Sequence, residues 1–142
     1  MTFFELTTPA QLFHKMESDL AALVASSSDS RLAFNFFVTA EHLPDWLNQR
    51  DMVRKHALLR VVSHLANGAK HFTLDPKRHR SVDGTSIERY AEEDYAEPGY
   101  FEEPLLIHLS PDEAVELGRP VFEVPVLGAL VLAFWRPYVP DA

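Results

Sequence analysis

The chain of 142 residues contains no cysteine. Disulfide bonds and thiolate metal ligands are therefore excluded, and a reducing compartment is compatible with the composition. Basic residues are in the minority, with 13 Lys and Arg against 21 Asp and Glu, which gives a formal net charge of −8. Because nucleic acid and anionic membranes repel such a chain, we expect no extended nucleic-acid-binding surface and no membrane association.

Long apolar runs are also missing. The longest, residues 124–135, is interrupted by Pro125 and Gly128 and is shorter than the about 20 residues that span a bilayer. Residues 1–5 lack the basic start and the apolar stretch of a signal peptide. These absences predict a cytoplasmic protein, and the overall composition is that of one globular domain over residues 1–142.

Helical periodicity dominates the first half of the chain. Thr8 as a cap, Pro9 at the first helical position and Gln11 as the partner of a capping box predict the start of the first helix. The serine-rich run 26–30 predicts its end. Apolar residues at helical spacing predict a second helix over residues 30–48, kinked or restarted at Pro44.

A third helix is predicted over residues 51–72, and the short link before it favours an antiparallel hairpin with the second helix. Residues 75–104 show no periodicity and predict a long, largely acidic loop, in which Asp83-Gly84 is typical of a turn. Residues 105–109 predict a strand with a hairpin partner at 119–123. Residues 110–113 favour, as an alternative, one helical turn between them.

The last element, residues 124–138, is predicted to be a helix, with a buried strand as the alternative. The fold class is therefore mainly α with a small β-hairpin. We expect an antiparallel bundle of three to four helices, into which the acidic loop and the hairpin are inserted.

Polar residues interrupt the second and third helices at spacings of three and four, so each set forms one stripe along a helix face. The first stripe is flanked by apolar residues and is expected to be buried. In an antiparallel hairpin His42 would lie near Arg60, and Asn35 near Asn67. The stripes are Asn35, Thr39, His42 and Trp46 on the second helix, and Arg60, His64, Asn67 and His71 on the third.

Three interpretations follow for these stripes. The simplest is a hydrogen-bond network around the buried first stripe that fixes the helix register, since buried polar groups need partners. In that interpretation the second stripe, opposite the apolar face of its helix, is an ordinary solvated face. A second is acid–base catalysis without a metal, because histidine titrates near neutrality and arginine stabilises phosphate charge. Its catalytic residues would be Arg60, His64, Asn67 and His71, and its substrate-binding residues Asn35, His42, Asp45, Trp46 and Lys70.

The third interpretation is a metal-dependent hydrolase centred on His42 and Asp45, whose spacing of three suits two ligands on one helix. His64 and His71 are seven residues apart, about 10 Å along a helix, which is too far for one ion. We therefore expect no cofactor and no metal in the leading interpretation.

Residues 34–46, with a His-x-x-Asp-Trp segment, and residues 65–72, with an Asn-x-x-Lys-His segment, resemble small uncharacterised bacterial and phage-associated proteins. That resemblance covers about 40 residues and implies a type of fold rather than an activity. The arrangement is also distantly similar to HEPN domains, helical bundles that include RNA-cleaving toxins. Their arginine and histidine enclose four to six residues, whereas Arg60 and His64 enclose three.

The leading expectation is a cytoplasmic binding or accessory protein that recognises a protein or a small molecule and forms a homodimer through an apolar helix surface. The alternatives are a HEPN-like ribonuclease or toxin component, and the metal-dependent hydrolase.

Overall fold

The computed structural model describes residues 4–70, 81–87 and 103–141. These residues form a mainly helical fold with a small antiparallel sheet of three strands. The helices are α1 (Pro9–Ala25), α2 (Ser30–Trp46), α3 (Met52–Lys55), α4 (Ala57–Lys70), α5 (Pro111–Leu117) and α6 (Val124–Trp135), followed by a 3₁₀ turn at Arg136–Tyr138. The strands are β1 (Val82–Ile87), β2 (Leu105–Leu109) and β3 (Val121–Glu123).

The first two helices begin at the predicted residues, Pro9 and Ser30, and each has a side-chain cap. The Thr8 hydroxyl accepts the Gln11 amide at 3.2 Å, and the Gln11 side chain accepts the Thr8 amide at 3.1 Å, which completes the capping box. Asp29 caps α2 by accepting the Arg31 amide at 2.9 Å. The second helix continues past Pro44 to Trp46 and does not restart there.

The predicted third helix is broken in two. His56 has extended backbone angles (φ −126°, ψ 124°) and separates the four residues of α3 from α4. Two side chains satisfy the backbone at this break: the Glu116 carboxylate of α5 accepts the Ala57 amide at 3.3 Å, and the nearby Arg60 guanidinium donates to the Arg54 carbonyl at 2.7 Å. A continuous helix over 51–72 was therefore the wrong prediction, and residues 71 and 72 lie outside the described part.

The predicted strands at 105–109 and 119–123 form β2 and β3, which pair antiparallel, and α5 lies between them. The strand β1 was not predicted. Its residues 83–86 are polar or glycine and exposed at the sheet edge, so they lack the apolar alternation of a half-buried strand. The pair Asp83-Gly84 lies within a β-bulge of this strand and is not a turn between elements.

The predicted C-terminal helix is confirmed as α6, and glycine lets it approach the other helices closely. A Cβ atom on Gly128 would lie 2.7 Å from the Leu20 side chain of α1 and 3.3 Å from the Phe36 ring of α2. Both neighbours belong to the apolar core, and Phe36 is fully buried. Gly128 is therefore the position at which α6 meets α1 and α2, because a residue without a side chain permits so close an approach.

No helix in the described ranges combines the length and the apolar character that crossing a bilayer requires.

Candidate functional site

The polar stripe of α2 does not lie where the sequence pattern predicts. Asn35, His42 and Trp46 are exposed, and only Thr39 is buried, where its hydroxyl accepts a hydrogen bond from Lys15 of α1 at 2.9 Å. The core instead covers the neighbouring faces of the helix that carry Phe36, Ala40 and Leu43. The expectation of a buried stripe is therefore wrong for its three exposed members.

Arg60 of α4 faces α5 instead of α2. Its guanidinium forms a bidentate salt bridge with Glu113, with hydrogen bonds of 3.0 and 2.8 Å. It donates a further hydrogen bond to Glu116 at 2.7 Å. The hydrogen bond to Glu113, aided by the charges of both carboxylates, raises the pKa of Arg60 above its ordinary value. We call Arg60, Glu113 and Glu116 the Arg60 cluster.

Glu116 also closes the break between α3 and α4. Its pKa is lowered, mainly because the carboxylate accepts the Ala57 backbone amide and also because it binds Arg60. A negative charge at the first residue of α4 is favourable because the amides there have no partners within the helix. The Arg60 cluster therefore joins α5 to the start of α4.

His64 holds the start of β1 against α4. Its Nδ1 atom accepts the backbone amides of Ser81 at 3.0 Å and Val82 at 3.2 Å. This arrangement assigns the ring proton to Nε2, because an imidazole nitrogen that accepts a hydrogen bond carries no proton. The imidazole thus connects a helix to the bulged edge strand.

The polar contact between α2 and α4 is made by Ser63 and Glu41, two residues that belong to neither polar stripe. Ser63 of α4 donates to the buried Glu41 carboxylate of α2 at 3.2 Å, and Arg50 binds the same carboxylate at 2.6 Å. Arg50 also binds both oxygens of Asp45 at 2.8 Å, which raises the pKa of Arg50. Asn67 donates to the Ser63 carbonyl at 2.7 Å. We call Arg50, Glu41 and Asp45 the Arg50 cluster.

The predicted site residues are therefore distributed over separate contacts. Arg60 is in one cluster, Asp45 is in the other, and His64 supports β1, while Asn35, His42 and Trp46 lie on the exposed face of α2. The side chain of Lys70 and all of His71 lie outside the described part. No group of three or more metal-binding side chains occurs within residues 4–70, 81–87 and 103–141.

A pocket of about 480 Å³ lies between α2, the second half of α4 and the sheet. Most of its wall is apolar, and its polar side chains come mainly from His64 and from the bulged strand β1. The lining residues are Ala33, Phe34, Phe37, Leu65, Gly68, Ala69, Val82, Leu105, Ile107 and Val124, with Ser30, His64, Asp83, Gly84 and Thr85.

Strand register explains which sheet residues reach this pocket. Thr85 pairs with Ile107, so both side chains lie on the face that lines the pocket. Ser86 lies on the other face, where its hydroxyl is 2.6 Å from Nε2 of His108. His64 lines the pocket and also positions one of its walls, because it binds the two backbone amides at the start of β1.

The pocket was only partly indicated by the sequence. Gly68 attracts attention as a glycine within a helical pattern, and it does line the pocket. Phe34 is 44% exposed, which is unusual for a large aromatic side chain and fits a position in a pocket wall. Asp83 is exposed and lines the same pocket, and no hydrogen bond or ion pair of the described residues involves its carboxylate. None of these residues was selected by the polar-stripe pattern.

No protein-family model, curated protein or solved structure matches the chain. The resemblances to phage-associated proteins and to HEPN domains therefore stay predictions, and the functional argument depends on the geometry of the chain itself.

Proposed function

We propose that this protein is a non-catalytic binding protein whose pocket between α2, α4 and the sheet receives a small, mainly apolar, cationic molecule. The observation that carries the proposal is the pocket itself, with its apolar wall and the carboxylate of Asp83 beside it. Ligand pockets are typically apolar cavities of about 300–1,000 Å³ with a few polar groups that fix the orientation of the ligand.

The chemistry of the wall supports an aromatic or aliphatic ligand body. Phe34 and Phe37 of α2 line the pocket together with Leu105 and Ile107 of β2. Apolar surface buried between such walls contributes roughly 25 cal/mol per Å² to binding. Asp83 supplies the only carboxylate among the described lining residues, and this charge favours an ammonium group at the polar side of the ligand.

The contacts of the predicted catalytic residues favour binding over catalysis. Arg60 is held by two carboxylates, which compete with any phosphate for its guanidinium. His64 uses Nδ1 to accept two backbone amides, which suits a structural role. A ribonuclease site would need both groups directed at the same phosphate group of the substrate, whereas Arg60 contacts α5 and His64 contacts the start of β1.

Two matched probes test the proposal. Equilibrium dialysis with 1-naphthylmethylamine, a cation, and with 1-naphthylmethanol, its neutral counterpart, should detect binding of both compounds. The cation should bind more tightly by about fivefold, since an exposed ion pair contributes roughly 1 kcal/mol. Asp83→Asn should remove this difference and leave the neutral compound bound as before.

Substitutions on the two faces of β1 locate the binding site. Thr85→Trp places a large ring on the pocket face and should abolish binding of both probes. Ser86→Trp, one residue away on the opposite face, is the control and should bind both. Failure of the unmodified protein to bind either probe, or equal binding by the two tryptophan variants, would contradict the proposal.

We also propose that the helices form an antiparallel bundle and that the protein is cytoplasmic. The first proposal is supported by two contacts of α1, Glu17 with Arg136 in the turn after α6 and Leu20 with Gly128 in α6, because residue numbers rise along one helix as they fall along the other. The second is supported by the lack of cysteine, which is compatible with a reducing compartment.

A further inference from the structure

The helix α6 is apolar on all sides, although the core uses only part of its surface. Its twelve residues include no charged side chain. An apolar helix is normally surrounded by other parts of the protein. Here one face remains exposed, and we call it the outer α6 face: Val126, Ala129, Leu130 and Ala133, together with Tyr138 of the following turn.

This face is continuous and not a scatter of single residues. The four residues on the helix itself, Val126, Ala129, Leu130 and Ala133, recur at spacings of three and four and lie in one row, and Tyr138 lies in the turn beyond them. The larger ones are well exposed, Val126 at 37%, Leu130 at 41% and Tyr138 at 45%. Isolated apolar side chains on a surface need no explanation, but a contiguous apolar face marks an interaction site.

We propose that the outer α6 face is a homodimer interface, on which α6 of a second copy lies antiparallel. A face without charge requires a partner surface without charge, because an unpaired charge is costly to bury. A second copy of the chain presents such a face. An anionic membrane surface fits less well, because it attracts helices flanked by several basic residues and this chain is acidic.

Charges at the two ends of α6 specify the direction of the second copy. Glu123, before the helix, and Arg136, after it, are both exposed. An antiparallel arrangement brings the Glu123 end of each copy to the Arg136 end of the other, whereas a parallel arrangement brings like charges together. The two-fold axis then falls midway between these residues, beside Ala129 and Leu130, so that a small and a larger side chain interdigitate.

The proposed interface is small. Glu123 and Arg136 are thirteen positions apart, which is about 20 Å along a helix. One helix pair of this length buries less than the roughly 800 Å² per partner of a standard stable interface. We therefore expect a weak dimer that dissociates on dilution. This proposal does not depend on the proposed ligand.

Sedimentation equilibrium tests the association over protein concentrations from about 10 µM to about 1 mM. This range covers the dissociation constants expected for a dimer with a small interface. The average mass should rise from 16.1 kDa toward twice that value. Leu130→Glu should stay at 16.1 kDa. Val115→Glu changes an 84% exposed valine on α5 and should associate as the unmodified protein does. A constant mass for the unmodified protein, or unchanged association of Leu130→Glu, would overturn the proposal.

Disulfide trapping tests the direction, because the chain has no cysteine of its own. With the axis between Ala129 and Leu130, Val126 of one copy lies opposite Ala133 of the other. An oxidised mixture of Val126→Cys and Ala133→Cys chains should therefore form mixed dimers, since a disulfide needs Cα atoms about 4.4–6.8 Å apart. Val126→Cys alone should remain monomeric after oxidation. Efficient trapping of Val126→Cys with itself would indicate parallel helices and contradict the antiparallel interface.

Discussion

The Arg50 and Arg60 clusters have the same design but join parts of the chain at very different separations. Each arginine binds one buried and one exposed carboxylate, with exposed fractions of 10% and 57% for Glu41 and Asp45, and of 7% and 49% for Glu113 and Glu116. The carboxylates of Arg50 are nine and five residues away, whereas those of Arg60 are 53 and 56 residues away. The first cluster is local, and the second forms only when α5 has docked on α4.

The two clusters make similar contacts, but loss of the arginine should affect the stability of the protein differently in each. In the Arg50 cluster the buried Glu41 also accepts the Ser63 hydroxyl, so it keeps one donor when the arginine is removed. Among the described residues, Glu113 has hydrogen bonds from Arg60 only. A buried carboxylate left without any donor carries its full desolvation cost. The long-range cluster should therefore be the more sensitive of the two.

The largest effect should come from Arg60→Ala. This change leaves the buried Glu113 without a donor among the described residues and should lower the free energy of unfolding by about 2–3 kcal/mol. Urea denaturation followed by circular dichroism measures the loss. Arg54→Ala is the matched control, because the Arg54 side chain is exposed on α3 and should cost little. Equal stabilities of the two variants would show that the Arg60 cluster does not hold α5.

The contrast between the clusters also marks the limit of prediction from the sequence. Helix starts such as Thr8 and Gln11 were predictable because their contacts lie within one turn. Arg60 and His64 were selected as polar residues on a helix, but their partners are 53 and 17 residues away and depend on how later elements fold back. Their assigned roles as catalytic groups rested on a meeting of stripes that the local pattern alone cannot establish.

Burial was the other limit. The pattern around Asn35 and His42 predicts a helix correctly. Because apolar residues flank the polar stripe on both sides, the sequence does not show which side of the helix packs against the other helices. Glu41, next to His42, is the acidic residue of α2 that is buried. The strand β1 was missed for a related reason, since its exposed polar residues are held by pairing with β2, and His64 binds the backbone amide of Val82 at the start of the strand.

Arg50→Ala should have a smaller effect than Arg60→Ala, about 1–2 kcal/mol, because Ser63 still donates to Glu41. The measurement is the same urea denaturation, carried out on both single variants and on the double variant. The clusters share no partner among the described residues, so the two losses should add within about 0.5 kcal/mol. A larger departure from additivity would mean that the clusters act as one network.

Ser63→Ala tests the residual donor directly and should cost about 1 kcal/mol in the otherwise unmodified protein. In the Arg50→Ala background the same substitution should cost more, since Glu41 then loses its last side-chain donor among the described residues. A thermodynamic cycle of the two substitutions, measured by urea denaturation, gives this coupling. Ser18→Ala, at an exposed serine of α1, is the control and should be neutral in both backgrounds. Equal costs of Ser63→Ala in the two backgrounds would remove the reason given for the greater sensitivity of the Arg60 cluster.

The smallest expected effect is the pH dependence that Glu116 gives to the long-range cluster. Its pKa in the folded protein lies below the ordinary value of 4.5, because the carboxylate accepts the Ala57 amide and binds Arg60. A lowered pKa contributes stability above the unfolded value, and this contribution is lost as the pH falls through the folded value. Glu116 is half exposed, so the contribution should be only about 0.5 kcal/mol.

The Glu116→Gln variant should therefore be less stable than the unmodified protein at pH 6. This gap in the free energy of unfolding should close in acid, below the pKa of Glu116 in the folded protein. Urea denaturation across this range measures the gap, with Glu5→Gln, at an exposed acid outside both clusters, as the control. A gap that stays constant into acid would show that the carboxylate charge of Glu116 does not stabilise the start of α4.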